Sequence, residues 1–204
     1  MFESLRRRWC KSRLKEESYA HLFEPYDGDE AVVFDTETTG LDPKRDAVLS
    51  IGAVKIKGDK ILTSQSFEIF LKPSREISAE SIKVHHIRPC DLEHAVEPLE
   101  GAKTFLDFIG NRPLIGYYLE FDMAMMNRLI KPWLGVSLPN KQIEISGLYF
   151  DKKIELIPQG NIDLRFDTIL RDLRIPKMGQ HNALNDAIMT AMVYIKLQHT
   201  TKLS

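Results

Sequence analysis

The sequence predicts an α/β layer fold, strands packed with helices. Three observations carry that expectation. Short β-branched runs come early, segments with helical apolar spacing follow, and one more short strand is set among those helices. The 204 residues suffice to bury the core of one domain, and there is no internal repeat or low-complexity stretch.

Residues 1–29 read as a basic N-terminal extension of helical character, with the domain proper over 30–204. In the extension Arg6, Arg7, Arg8, Lys11, Arg13 and Lys15 are interleaved with Phe2, Leu5, Trp9 and Leu14. Such a stretch can pack on the domain or a partner, guide nucleic acid through phosphate contacts, or remain a solvated basic helix.

The apolar run Ala31-Val32-Val33-Phe34 reads as a buried strand leading into Asp35, Thr36 and Glu37. Residues 47–57 and 61–71 read as two further strands, joined by the hairpin signal Gly58-Asp59. Polar loops are expected around His85-His86, then a helix over 98–109 with Pro98 near its start. A short strand over 113–118 precedes a helix beginning near Asp122, marked by Met123, Met126, Leu129 and Ile130. The stretch 135–161 is not assigned, because Ile143, Ile145, Leu148, Tyr149 and Phe150 fit a short strand or a helix. A helix is expected over 163–173. The last helix carries Leu184, Ala187, Ile188, Ala191, Met192 and Ile195 on one stripe, with Asn182 as its N-cap.

Chemistry enters through the acids. On a strand, residues i and i+2 share a face, so Asp35 and Glu37 sit side by side. Like charges that close favour a protonated partner or a cation between them. Asp186 lies off the apolar stripe of the last helix, and His181 falls in the loop that enters it. Asp122 has two readings, a helix cap or a further ligand of the same site.

Asp35-Thr-Glu-Thr-Thr-Gly-Leu41, then Phe121-Asp122 opening a helix, then His181-Asn-Ala-Leu-Asn-Asp186-Ala resemble, in this order, the three motifs of the DEDDh 3′–5′ exonucleases. That family includes the proofreading epsilon subunit of bacterial DNA polymerase III. The resemblance covers residues 30–198 and implies a ribonuclease-H-like mixed sheet. It implies that Asp35, Glu37, Asp122 and Asp186 hold two divalent cations and that His181 is the general base. Thr38 and Leu41 would contact the terminal nucleotide, Phe121 would belong to the substrate surface, and residues 84–87, His86 included, would line the base pocket. Hard oxygen ligands suit Mg²⁺ or Mn²⁺. Activity is then expected to rise with pH through the imidazole titration.

The sequence departs from the family pattern twice. Tyr117-Tyr118 stands where relatives carry His-Asn, and these rings either pack or stack on a base. His86 stands where relatives carry Gly, adding bulk beside the nucleotide.

The expected partners are single-stranded 3′ ends or short oligonucleotides, and DNA versus RNA is left open. A homodimer is an alternative to a monomer. The chain ends soon after the last helix, which leads to the expectation of a stand-alone nuclease over a polymerase subunit. The other class left open is a nuclease-fold binding or assembly module recruiting a nucleic-acid or polymerase partner through the basic N-terminus; the intact acidic set disfavours it. Net charge is −1, which the acids gathered at one site help to explain. Cys10 and Cys90 form no disulfide framework, no apolar run spans a bilayer, and no signal-peptide apolar region is present, so a cytoplasmic setting is expected.

Overall fold

Strand β1 (Glu30–Thr38) is the middle of a five-stranded sheet and is buried on both faces. In the computed structural model, which describes residues 11–154, 161–179 and 181–200, the sheet order is β3-β2-β1-β4-β5. Antiparallel β2 (Val48–Lys57) and β3 (Lys60–Phe70) lie on one side of β1, and parallel β4 (Leu114–Gly116) and β5 (Gln142–Glu144) on the other. The Gly58-Asp59 hairpin forms as expected: Lys57 pairs with Lys60 and Gly58 takes a positive φ of 54°, as a two-residue turn requires.

Alternation along β1 divides the core. Val32 and Phe34 face α2 (Pro98–Ile109) and α3 (Leu119–Leu134), while Ala31 and Val33 face α4 (Ile145–Ile154), α5 (Phe166–Asp172) and α6 (Ala183–His199). Pro98 occupies the first turn of α2, and the Asn182 side chain accepts from the Asn185 N–H to cap α6.

Several expectations are corrected. The loop before His85-His86 contains α1 (Ala79–His85), which forms because the Ser78 hydroxyl caps it by accepting from the Ser81 N–H. Helix α3 starts at Leu119, three residues before Asp122, so Asp122 is not its cap. The unassigned stretch uses both alternatives in succession, with β5 passing directly into α4.

The expected helix over the basic start lies partly outside the described residues; from residue 11 the chain makes a turn and a 3-10 helix, Glu17–Phe23. Leu22 and Phe23 are buried in the core shared with α2 and α3, and the Lys15 N–H donates to the Leu134 carbonyl at 3.0 Å. Among the described residues no helix is long and apolar enough to cross a membrane.

Candidate active site

Asp35 and Glu37 continue the face of β1 that Ala31 and Val33 begin, and so point toward α6. Gly52 pairs with Asp35 across β1 and β2. A Cβ built at Gly52 would run into the backbone of Ala183 and Leu184, so the first turn of α6 rests directly on the sheet there. That close approach brings Asp186 to the strand acids. One carboxylate oxygen each from Asp35, Glu37 and Asp186 lie within 4.8 Å of one another.

Asp122 reaches the site from the opposite face. Its Oδ1 accepts the Thr36 hydroxyl at 2.6 Å and the Thr36 N–H at 3.1 Å, and Thr36 lies on the Phe34 side of β1. Asp122 thus stands beside the three clustered acids, held by the strand residue between Asp35 and Glu37.

Burial raises all four carboxyl groups, and repulsion from the neighbouring site acids adds to it for Asp35 and Glu37. Desolvation is the larger cause for Asp35, followed by repulsion from Asp122, Glu37 and Asp186, and its pKa lies well above the ordinary value. Desolvation followed by repulsion from Asp186 and Asp122 brings Glu37 to about 8. Asp122 is raised to about 7 by desolvation, against which the Thr36 hydrogen bonds act. Asp186 is raised mainly by desolvation, opposed by the His181 N–H that donates to its Oδ2. Its Oδ1 is buried and has no hydrogen-bond partner among the described residues. Four crowded carboxyls, one with an orphaned buried oxygen, fit a hard divalent cation as the missing partner.

The acids line a cavity of about 560 Å³. Thr38, Leu41, Phe121 and His181 line it too, so every site residue singled out from the sequence except His86 and Ile87 comes together here, Ile87 being packed in the core. His86 caps α1 in the left-handed region, at φ 60°, and is exposed away from the cavity lining. This is a conformation that glycine adopts without strain. His85, the buried neighbour, lines the cavity instead; its Nδ1 accepts the Ile87 N–H, and burial pushes its pKa down. His181 itself is left-handed at φ 58° and exposed.

Leu41 is 84% exposed at the rim, on a loop built around Asp46. The Asp46 carboxylate accepts from the Thr39 hydroxyl, the Asp42 N–H and Arg75, while Arg128 donates to the carbonyls of Pro43 and Asp46. A side chain at Gly40 would collide with that carboxylate. Sequence reasoning missed Gly52, Asp46 and Glu144. Only Gly52 carried a signal, as a glycine inside a strand where another backbone comes close.

A mixed sheet presenting clustered acids from a central strand and two helices defines a nuclease-like hydrolase scaffold. The sequence model of the RNase T exonuclease family matches residues 32–194, and the chain belongs to this exonuclease family, in its DEDDh 3′–5′ class. It is 32% identical over 171 residues to the PolC-type DNA polymerase III of Thermotoga maritima, covering 84% of this chain and 12% of that protein. It is 28% identical over 181 residues to the DNA polymerase III subunit epsilon of Rickettsia felis, covering 81% of this chain and 72% of that protein.

Among solved structures, E. coli exonuclease I in complex with a dT13 oligonucleotide superposes with a TM-score of 0.68 at 14% identity, over 84% of this chain and 41% of that one. Cell-death related nuclease 4 gives 0.69 at 14% identity, over 84% and 64%. These likenesses concern the fold, a ribonuclease-H-like mixed sheet flanked by helices. The chain spans about an eighth of the PolC-type relatives' length.

Proposed function

We propose that this chain is a metal-dependent 3′–5′ exonuclease that removes nucleoside monophosphates from single-stranded nucleic acid. The observation that carries the reading is the meeting of Asp35, Glu37 and Asp186 within 4.8 Å, with Asp122 beside them, on the floor of a cavity open at its rim. These carboxylates would hold two divalent cations, Mg²⁺ or Mn²⁺. Such ions supply charge neutralisation at the phosphodiester and acidify the attacking water.

The remaining steps belong to the chain. A ring nitrogen of His181, on the loop entering α6, accepts the proton that water loses as it attacks phosphorus. Thr38 and Leu41 hold the terminal nucleotide at the rim; the Thr38 hydroxyl already donates to the Gly40 carbonyl at 2.7 Å, which fixes the turn between them. The bond to the 3′-oxygen of the preceding nucleotide breaks, releasing the monophosphate. Exonuclease I, an oligonucleotide-bound neighbour of the same fold, supports a single-stranded substrate.

The test follows 5′-labelled single-stranded DNA, single-stranded RNA and a dinucleotide with Mg²⁺ or Mn²⁺, beside EDTA and Asp35→Ala. A ladder shortening from the 3′ end and lost in both controls is expected. No cleavage by folded protein in either metal would overturn the reading in favour of a binding module.

A further inference from the structure

We infer that Tyr118 is a base-stacking residue that sets the substrate preference of this site, an inference that rests on the exonuclease reading above. Of the two adjacent tyrosines, Tyr117 is the one anchored against the protein at both its ring and its hydroxyl. The Tyr117 hydroxyl donates to the Leu164 carbonyl at 3.1 Å, and its ring lies 4.8 Å from that of Phe166. Tyr118 is 67% exposed at the cavity mouth, with its ring nearly parallel to Phe121, at 17° and 6.4 Å between centroids.

The exposure is built in. Tyr118 takes a left-handed conformation, φ 55° and ψ 35°, at the start of α3. A non-glycine residue is strained there and needs holding. Glu144 at the end of β5 does so: its Oε1 accepts the Tyr118 N–H at 3.1 Å and its Oε2 the Leu119 N–H at 2.7 Å. Ser146 fixes that carboxylate in turn through its N–H and hydroxyl, at 3.0 and 2.8 Å. The bidentate hold fixes the backbone from which the ring reaches the rim.

Leu41 and Val84, 84% and 49% exposed, line the same cavity. An apolar rim above an acidic floor matches a nucleotide with its base at the rim and its phosphate at the floor. The flat, open face of Tyr118 accepts any base by stacking, so recognition there is independent of sequence. It requires a base unstacked from its strand neighbour, which favours unpaired ends.

The test is anisotropy of 5′-fluorescein-labelled dT6, and of versions abasic at each of the last three positions, bound to wild type, Tyr118→Ala and Tyr118→Phe in Ca²⁺, with cleavage in Mn²⁺ measured in parallel. At one position the abasic change should weaken wild-type binding roughly tenfold, in line with a stacked base. Tyr118→Ala should weaken intact dT6 by a similar factor and no longer respond to that abasic change, while Tyr118→Phe behaves as wild type. In cleavage the same loss should fall on KM and spare kcat.

Unchanged binding by folded Tyr118→Ala, or an abasic penalty that persists in it, would overturn the inference, as would failure of wild type to bind any of the oligonucleotides. Cleavage that continues with such a result leaves the exonuclease reading standing. The stacking pattern without cleavage would support Tyr118 and remove the exonuclease reading instead.

Discussion

Thr36 donates both its hydroxyl and its backbone N–H to one oxygen of Asp122, at 2.6 and 3.1 Å. The pair joins helix α3 to the strand that carries Asp35 and Glu37, so the fourth acid is set by a residue from the opposite face of the sheet. Desolvation raises the Asp122 pKa to about 7, and the two Thr36 bonds restrain that rise.

Thr36→Val keeps the shape and removes the hydroxyl donor. Asp122 should then titrate higher, and the metal concentration for half-maximal activity at pH 7 should rise roughly tenfold, since a hydrogen bond to a charged group contributes about 1.5–3 kcal/mol. A metal titration of the cleavage rate checks this; an unchanged midpoint would show that the hydroxyl does not hold the carboxylate.

The acids also make the metal-free fold sensitive to pH. Their folded pKa values lie above those of the unfolded chain, so the protonated forms favour folding, and that contribution is lost as pH rises through about 7 for Asp122 and about 8 for Glu37. In EDTA the melting temperature should fall from pH 5 toward pH 8, each value being approximate, and excess Mn²⁺ should recover most of the loss. A flat profile in EDTA would mean that the carboxyls are not strained against one another.

Gly52→Ala places a methyl against the backbone of Ala183 and Leu184. Backbone yields less than a side chain, so the cost should reach or exceed the usual ~1–3 kcal/mol of overpacking. Helix α6 should shift, lowering both the melting temperature and the affinity for metal; thermal melts with and without Mn²⁺ measure both.

Asp46→Ala removes the carboxylate that gathers Thr39, Asp42 and Arg75 beneath Leu41. The loop lies at the rim of the cavity, so KM for an oligonucleotide should rise several-fold while kcat and the melting temperature change little. A fall in kcat alone would contradict a role in presenting Leu41.

Much of this was legible in the sequence because the signals are local. The β-branched run before Asp35, the two-residue turn at Gly58-Asp59 and the Asn182 cap of α6 each follow from spacing within a few residues. Of the apolar stripe expected on α6, by contrast, only Ala187 and Ala191 are fully buried, and the buried face runs instead through Ala183, Met189, Val193 and Leu197. What stayed hidden depends on tertiary contact. The resemblance names Asp122 as a site acid, but its spacing alone leaves a helix cap open until α3 is seen to begin at Leu119 and Thr36 is seen to claim its carboxylate. His86 reads as the pocket histidine until the left-handed end of α1 turns it outward and leaves His85 inside. Glu144 has no sequence signature as a clamp, because its partners lie across the sheet edge from β5.

The central claim is that Asp35, Glu37 and Asp186 are brought together to share metal ions. Calorimetric titration of Mn²⁺ into wild type and Asp186→Asn, each first shown to be folded, tests it most directly. Saturable binding by wild type, weakened at least roughly tenfold in the variant as expected for loss of a ligand charge, is the expected result. Equal binding by the two proteins, or none by wild type, would contradict it.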